Sequence, residues 1–66
     1  MRLIVNGAGR DVPGGTSVAD LVRAVTDQRR GLAVAVNGEV VPRGGWPGTL
    51  LRDGDRVEVL SAAQGG

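Results

Sequence analysis

The chain opens on an apolar, branched run, Arg2-Leu3-Ile4-Val5. Asn6-Gly7-Ala8-Gly9 follows, a stretch that tolerates positive φ, and Arg10-Asp11-Val12-Pro13 resumes an extended pattern. This predicts a β-hairpin. Gly14-Gly15-Thr16 breaks it, and Ser17 followed three residues later by Asp20 has the spacing of a capping box, with Asp in place of the usual Glu. Val18, Leu21, Val22 and Val25 then fall at i, i+3, i+4 and i+7, one stripe of a 3.6-residue period, while Asp20, Arg23, Asp27 and Gln28 face elsewhere. The spacing predicts one amphipathic helix over Val18 to Gln28. Gly31 suits the left-handed position that ends a helix, and Arg29 and Arg30 stand where positive charge complements a helix C-terminus. Leu32 to Val36 has strand character, Asn37-Gly38 is a strong hairpin signal, and Val40-Val41 continues on the other side. Pro42 to Thr49 reads as loop or a single short turn around Trp46. Asp53-Gly54-Asp55 is a tight turn feeding a last strand, Arg56 to Leu60.

A hairpin, a helix crossing one face and a final strand returning beside the first make an α+β fold of the β-grasp (ubiquitin-like) kind. In it a mixed sheet of four to five strands wraps one helix. The last strand runs parallel to the first in the sheet centre, which the intervening helix permits. Alternation sends Leu3, Val5, Val57 and Val59 towards the helix and leaves Ile4 and Leu60 on the open face, as contacts for docking a partner. Residues 1–60 form a single domain on this reading, and residues 61–66, Ser61-Ala62-Ala63-Gln64-Gly65-Gly66, a flexible C-terminal tail with no large apolar side chain to bury.

Composition removes whole classes of function. The chain has no Cys, His, Tyr or Phe, and every one of its eight basic residues is arginine, so no lysine is present either. Most groups that titrate or attack near neutral pH are therefore missing, and no carboxylate cluster has convincing ligand spacing. We expect no catalytic side chain, no metal, no bound cofactor, and no disulfide support for the fold. The sequence pI is near 9.0, yet the formal net charge is +1 and the arginines are dispersed. With Trp46 as the single aromatic residue, there is no stacking platform for nucleic acid. Apolar runs of a few residues and the lack of a signal segment point to a protein that is neither membrane-bound nor secreted, hence cytoplasmic.

With side chains excluded, the working group falls on the C-terminus. Glycine lacks a Cβ, so an extended Gly65-Gly66 can pass through a narrow channel and present its carboxylate to another protein's active site. That carboxylate is ionised at pH 7 and resists attack until its oxygen becomes a leaving group, as adenylation by ATP achieves. A partner enzyme must do this. Sulfur would then give a thiocarboxylate and an amine an amide, and the residues do not choose between them. Elsewhere, Trp46 reads as a cap on an aliphatic core more readily than as a partner anchor. Arg43 suits a loop carbonyl or an acidic partner equally. Asp53 and Asp55 belong to turn chemistry, and the glycines near Gly7, Gly14 and Gly44 to turns, with no phosphate-loop pattern.

The segment Ala35-Val36-Asn37-Gly38-Glu39-Val40-Val41-Pro42-Arg43, then Trp46, Leu51, Asp53-Gly54-Asp55-Arg56-Val57-Glu58 and the terminal Gly65-Gly66 resembles the ThiS family, the sulfur carriers of thiamine biosynthesis. Length, the opening hairpin with Asn6 and the helix start at Ser17-Val18 extend the resemblance over essentially the whole chain. It implies that an E1-like (ThiF-like) adenylyltransferase activates the Gly66 carboxylate with ATP. A cysteine desulfurase then supplies the sulfur of a thiocarboxylate, and a ThiG-like thiazole synthase takes that sulfur. Gly66 would be the modified residue and Gly65 the slender approach. The small subunit of molybdopterin synthase (MoaD-like) shares the fold and ending but is usually longer and fits the Pro-Arg and Trp pattern less well. A non-covalent β-grasp binding module, or an amide-forming ubiquitin-like modifier, are the remaining readings.

Overall fold

The computed structural model describes residues 1–28 and 30–62. In chain order the elements are β1 (Arg2–Val5), β2 (Ala8–Asp11), α1 (Val18–Val25), β3 (Leu32–Val36), β4 (Glu39–Val41), a 3₁₀ turn (Arg43–Gly45) and β5 (Arg56–Ser61). Both hairpins turn on Asn-Gly. Asn6 and Gly7 have φ of 50° and 83°, and Asn37 and Gly38 have 51° and 83°. Two successive positive φ values match the twist of a two-residue hairpin, which is why Asn and Gly stand there. Such a turn uses only two residues, so β2 starts at Ala8, paired with Val5, rather than at Arg10 as expected. In the second hairpin β3 has the expected bounds, and β4 starts at Glu39, paired with Val36, one residue before the expected Val40.

The helix starts as the spacing predicts. Ser17 Oγ accepts from Asp20 N at 3.1 Å, and Ser17 N donates to Asp20 Oδ2 at 3.2 Å, a complete capping box worth about 1 kcal/mol. The remaining first-turn amides are met by the loop after β4, with Val18 N donating to Thr49 O at 2.9 Å and Ala19 N to Trp46 O at 3.2 Å. The end differs from the expectation of Gln28. The helix stops at Val25, and Thr26 is extended at φ −154° and ψ 148°. Its Oγ1 accepts from Gln28 N at 3.0 Å, a local bond that competes with continued helix. Gly31 is left-handed, φ 69°, but serves the entry to β3 rather than the helix end. Arg30 lies beyond the helix, and the basic residue in its last turn is Arg23; Arg29 lies outside the described residues.

The sheet order is β2-β1-β5-β3-β4, with β5 parallel to β1 and antiparallel to β3. This is the β-grasp arrangement, with the last strand in the centre. Leu3, Val5, Val34 and Val57 project from the sheet onto Val18, Leu21 and Val22 of α1, and Trp46 and Leu51 complete the core. Leu3, Val18 and Leu21 are fully buried, each contributing roughly 1.5–3 kcal/mol against leaving it in water. Val59 is half-buried on the same face. β5 continues through Ser61, one residue beyond the expected end of the domain at Leu60.

Candidate functional site

The candidate site is the end of β5 together with the uncovered face of the sheet. β1 stops at Val5, level with Val57, so the last four residues of β5 have no β1 residue beside them in the ladder. Asn6 takes over that edge. Its Nδ2 donates to Val59 O at 3.1 Å and its Oδ1 accepts from Val59 N at 2.8 Å, while Asn6 N donates to Val57 O. Asn37 does the equivalent at the strand's start: Arg56 N donates to Asn37 Oδ1 at 3.0 Å and Asn37 N to Arg56 O at 2.8 Å. Each hairpin asparagine thus shapes its turn with its backbone and extends the sheet with its side chain.

Register places Ile4, Arg56, Glu58, Ala35, Leu60, Ala33 and Val40 on the open face. Ile4 is 39% exposed and Leu60 57% exposed, where alternation put them, and with Asn6, Gly7, Arg56 and Glu58 they line one shallow depression. Val40 is 74% exposed and was not anticipated as part of this face. The signal was present, since Val41 is the half-buried member of the pair and its neighbour must point the other way. Gly65 and Gly66 lie outside the described residues.

Trp46 is buried, and its Nε1 donates to Val41 O at 2.8 Å. It is a core residue, with the Arg43 guanidinium stacked 5.2 Å from the ring centroid. Asp53 and Asp55 flank the turn at Gly54, and their carboxylates accept hydrogen bonds from within it and from residues distant in sequence. Asp53 Oδ1 accepts from Arg2 N at 2.7 Å, and the Asp55 carboxylate accepts from Arg52 N and Asn37 Nδ2. Among the described residues no group of three His, Cys, Asp or Glu gathers as metal ligands, and no helix is long and apolar enough to cross a membrane. The Asp20 carboxyl is held below its ordinary value, first by the Ser17 backbone bond and then by the Arg23 side chain at 2.8 Å. It belongs to the helix cap, remote from the open face.

Ser61 points to the helix side and meets Gln28, with Gln28 Nε2 3.0 Å from Ser61 Oγ. One residue on, Ala62 N donates to Gly31 O at 2.6 Å. The chain therefore leaves the described fold at a defined place, beside the open face and at the far end of the central strand. Among the described residues, the arrangement presents a central strand end that leaves the sheet beside an exposed apolar face.

Comparison with known proteins bears on this directly. The sequence model of the ThiS family matches residues 3–66. Over 66 residues, 100% of both chains, the chain is 27% identical to the sulfur carrier protein ThiS of Escherichia coli (strain K12). It is 30% identical to a stretch of a thiazole synthase from Paramagnetospirillum magneticum, spanning 20% of that protein's length. In structure it is similar to the thiamine biosynthesis protein (ThiS) of Geobacter metallireducens. That likeness has a TM-score of 0.84 and 36% identity, covering 92% of this chain and 93% of that one.

Proposed function

This chain belongs to the ThiS family, and from that premise we propose that it carries sulfur on the carboxylate of Gly66. It is a sulfur carrier of thiamine biosynthesis, acted on by enzymes rather than acting as one. The carboxylate attacks the α-phosphorus of ATP on an E1-like adenylyltransferase, releasing pyrophosphate and leaving an acyl adenylate. The terminal sulfur of a persulfide formed by a cysteine desulfurase attacks the acyl carbon and displaces AMP, giving an acyl disulfide, and a thiol such as excess cysteine then cleaves the S–S bond, leaving the thiocarboxylate and a disulfide of the two thiols. A thiazole synthase accepts that sulfur. The similarity of this whole chain to a stretch of a thiazole synthase supports that acceptor over a molybdopterin one. ATP is consumed by the partner rather than held by this chain, and the cytoplasm is the compartment this reading assigns to both. Ile4 and Leu60, with Val40, form the docking face, and Gly65 supplies the slender approach.

The observation that carries this reading is the family match running through residue 66, so that it takes in the terminal Gly65-Gly66. The test is a reconstituted thiazole-forming reaction with the wild-type chain and with Gly66 deleted. We expect the deletion to abolish sulfur transfer with an unchanged melting temperature. A deletion chain that still supports thiazole formation would leave the non-covalent binding module as the better account.

A further inference from the structure

Leu60 and Ser61 are neighbours in a strand and so face opposite sides of the sheet. Leu60 lies on the open face, whereas Ser61 turns towards the helix side, where its hydroxyl lies 3.0 Å from Gln28 Nε2 and 3.1 Å from Gln28 Oε1. Gln28 is itself anchored. Its N–H donates to Thr26 Oγ1 at 3.0 Å, Thr26 N donates to Val22 O in the helix at 3.0 Å, and Gln28 Nε2 donates to Arg30 O at 2.7 Å. A continuous run of hydrogen bonds thus ties the end of β5 to the end of α1.

That tie sits where the sheet is weakest. At Ser61 the main-chain ladder has one partner strand, since Leu32 of β3 pairs with Ser61 while the β1 side is filled only as far as Val59, by the Asn6 side chain. Without Gln28, the strand end would be held along one edge and free to hinge about it. Among the described residues, the direction of the chain at Ser61 and Ala62 therefore rests on the β3 edge and on Gln28.

We propose that the Gln28–Ser61 pair is a positioning device that sets the direction in which the C-terminal segment leaves the fold, so that a docked partner receives the terminus in line. The inference rests on the reading of Gly66 as the activated acyl group. Docking and delivery are then separate functions of the same strand end, Leu60 serving the first and Ser61 the second. Loosening the pair leaves the grip of the partner intact and slows the chemical step.

The experiment is steady-state pyrophosphate release by the E1-like adenylyltransferase, with the full chain as the varied substrate, for wild type, Gln28→Ala, Ser61→Ala and the double variant. We expect each single substitution to lower kcat roughly three- to tenfold, the worth of about one hydrogen bond, with KM held within about twofold. The double variant should be no slower than Gln28→Ala, which already removes the Ser61 contact together with the bond to Arg30 O. Ser61→Thr, which keeps the hydroxyl on a residue suited to a strand, should restore the wild-type rate. Unchanged kcat in both single variants overturns the inference. So does a loss of rate that follows the melting temperature and is not restored by threonine, since that marks a merely structural contact. Wild-type chain that is not adenylated by an enzyme active on a known carrier removes the premise, and the inference with it.

Discussion

The two faces of the sheet are built from the same strands, and in β5 they alternate residue by residue, yet they do different work. Val57 and Val59 turn to the helix, and there Leu3, Val34, Leu21 and Trp46 close a core with hardly any water-accessible surface. Arg56, Glu58 and Leu60 turn the other way, and the apolar side chains beside them, Ile4 and Val40, stay in solvent. An apolar residue on the covered face stabilises the fold, while one on the open face costs nothing to fold around and is available to a partner. On the proposed reading the working group is the C-terminal carboxylate, and the sheet's task is to deliver it beside a surface to grip. A central last strand, parallel to the first, ends next to the exposed Leu60 and suits both tasks.

This contrast breaks if the two faces respond alike to substitution. The largest effect belongs to Leu3→Ala, which should cost about 2–5 kcal/mol in denaturant unfolding, against a total of roughly 3–10 kcal/mol for a chain of this length. Ile4→Arg combined with Leu60→Arg should change stability by no more than about 0.5 kcal/mol. The pair should nevertheless raise the adenylating enzyme's KM by about tenfold or more, as removal of a docking contact does. If that pair unfolds the chain, or leaves KM unchanged, the open face is not a docking surface.

Asn6→Gly keeps the positive φ of the turn and removes only the two side-chain bonds to Val59, so it isolates the edge they extend. A loss of about 1–2 kcal/mol is expected from thermal or denaturant unfolding. No loss would mean that Asn6 serves the turn alone. The smallest effect concerns pH. The folded-state pKa of Asp20 is lowered from 3.8, so its stabilising contribution is present above that value and is lost as pH falls through the folded pKa. The melting temperature of Asp20→Asn should therefore decline less than that of wild type between about pH 5 and pH 2. A parallel decline would show that the cap does not depend on the carboxylate's charge.

Local signals carried most of the fold. Period-2 alternation placed Leu3, Val5, Val57 and Val59 inward and Ile4 and Leu60 outward, and the 3.6 period with the Ser17–Asp20 spacing located the helix start. Where local reading failed, a competing local bond or a distant partner decided the outcome. The Thr26 side chain drew the backbone out of the helix three residues early, against a polar stretch that still looked helical. An Asn-Gly pair announces a hairpin, but nothing near Asn6 in sequence reveals its bonds to Val59, 53 residues away. The Gln28–Ser61 pair spans 33 residues and is equally silent in any window. The sequence favours Trp46 as a core cap, and the Nε1 bond to Val41 O shows how its one polar side-chain atom is satisfied there. The terminal glycines were the clearest functional signal in the chain, and they lie outside the described residues.

The most direct test is the intact mass of the full chain after incubation with ATP, an E1-like adenylyltransferase, a cysteine desulfurase and cysteine. The account predicts a gain of about 16 Da, sulfur replacing one carboxylate oxygen, confined to the C-terminal peptide and absent when Gly66 is deleted. An unchanged mass, with enzymes shown to act on a known carrier, would contradict it.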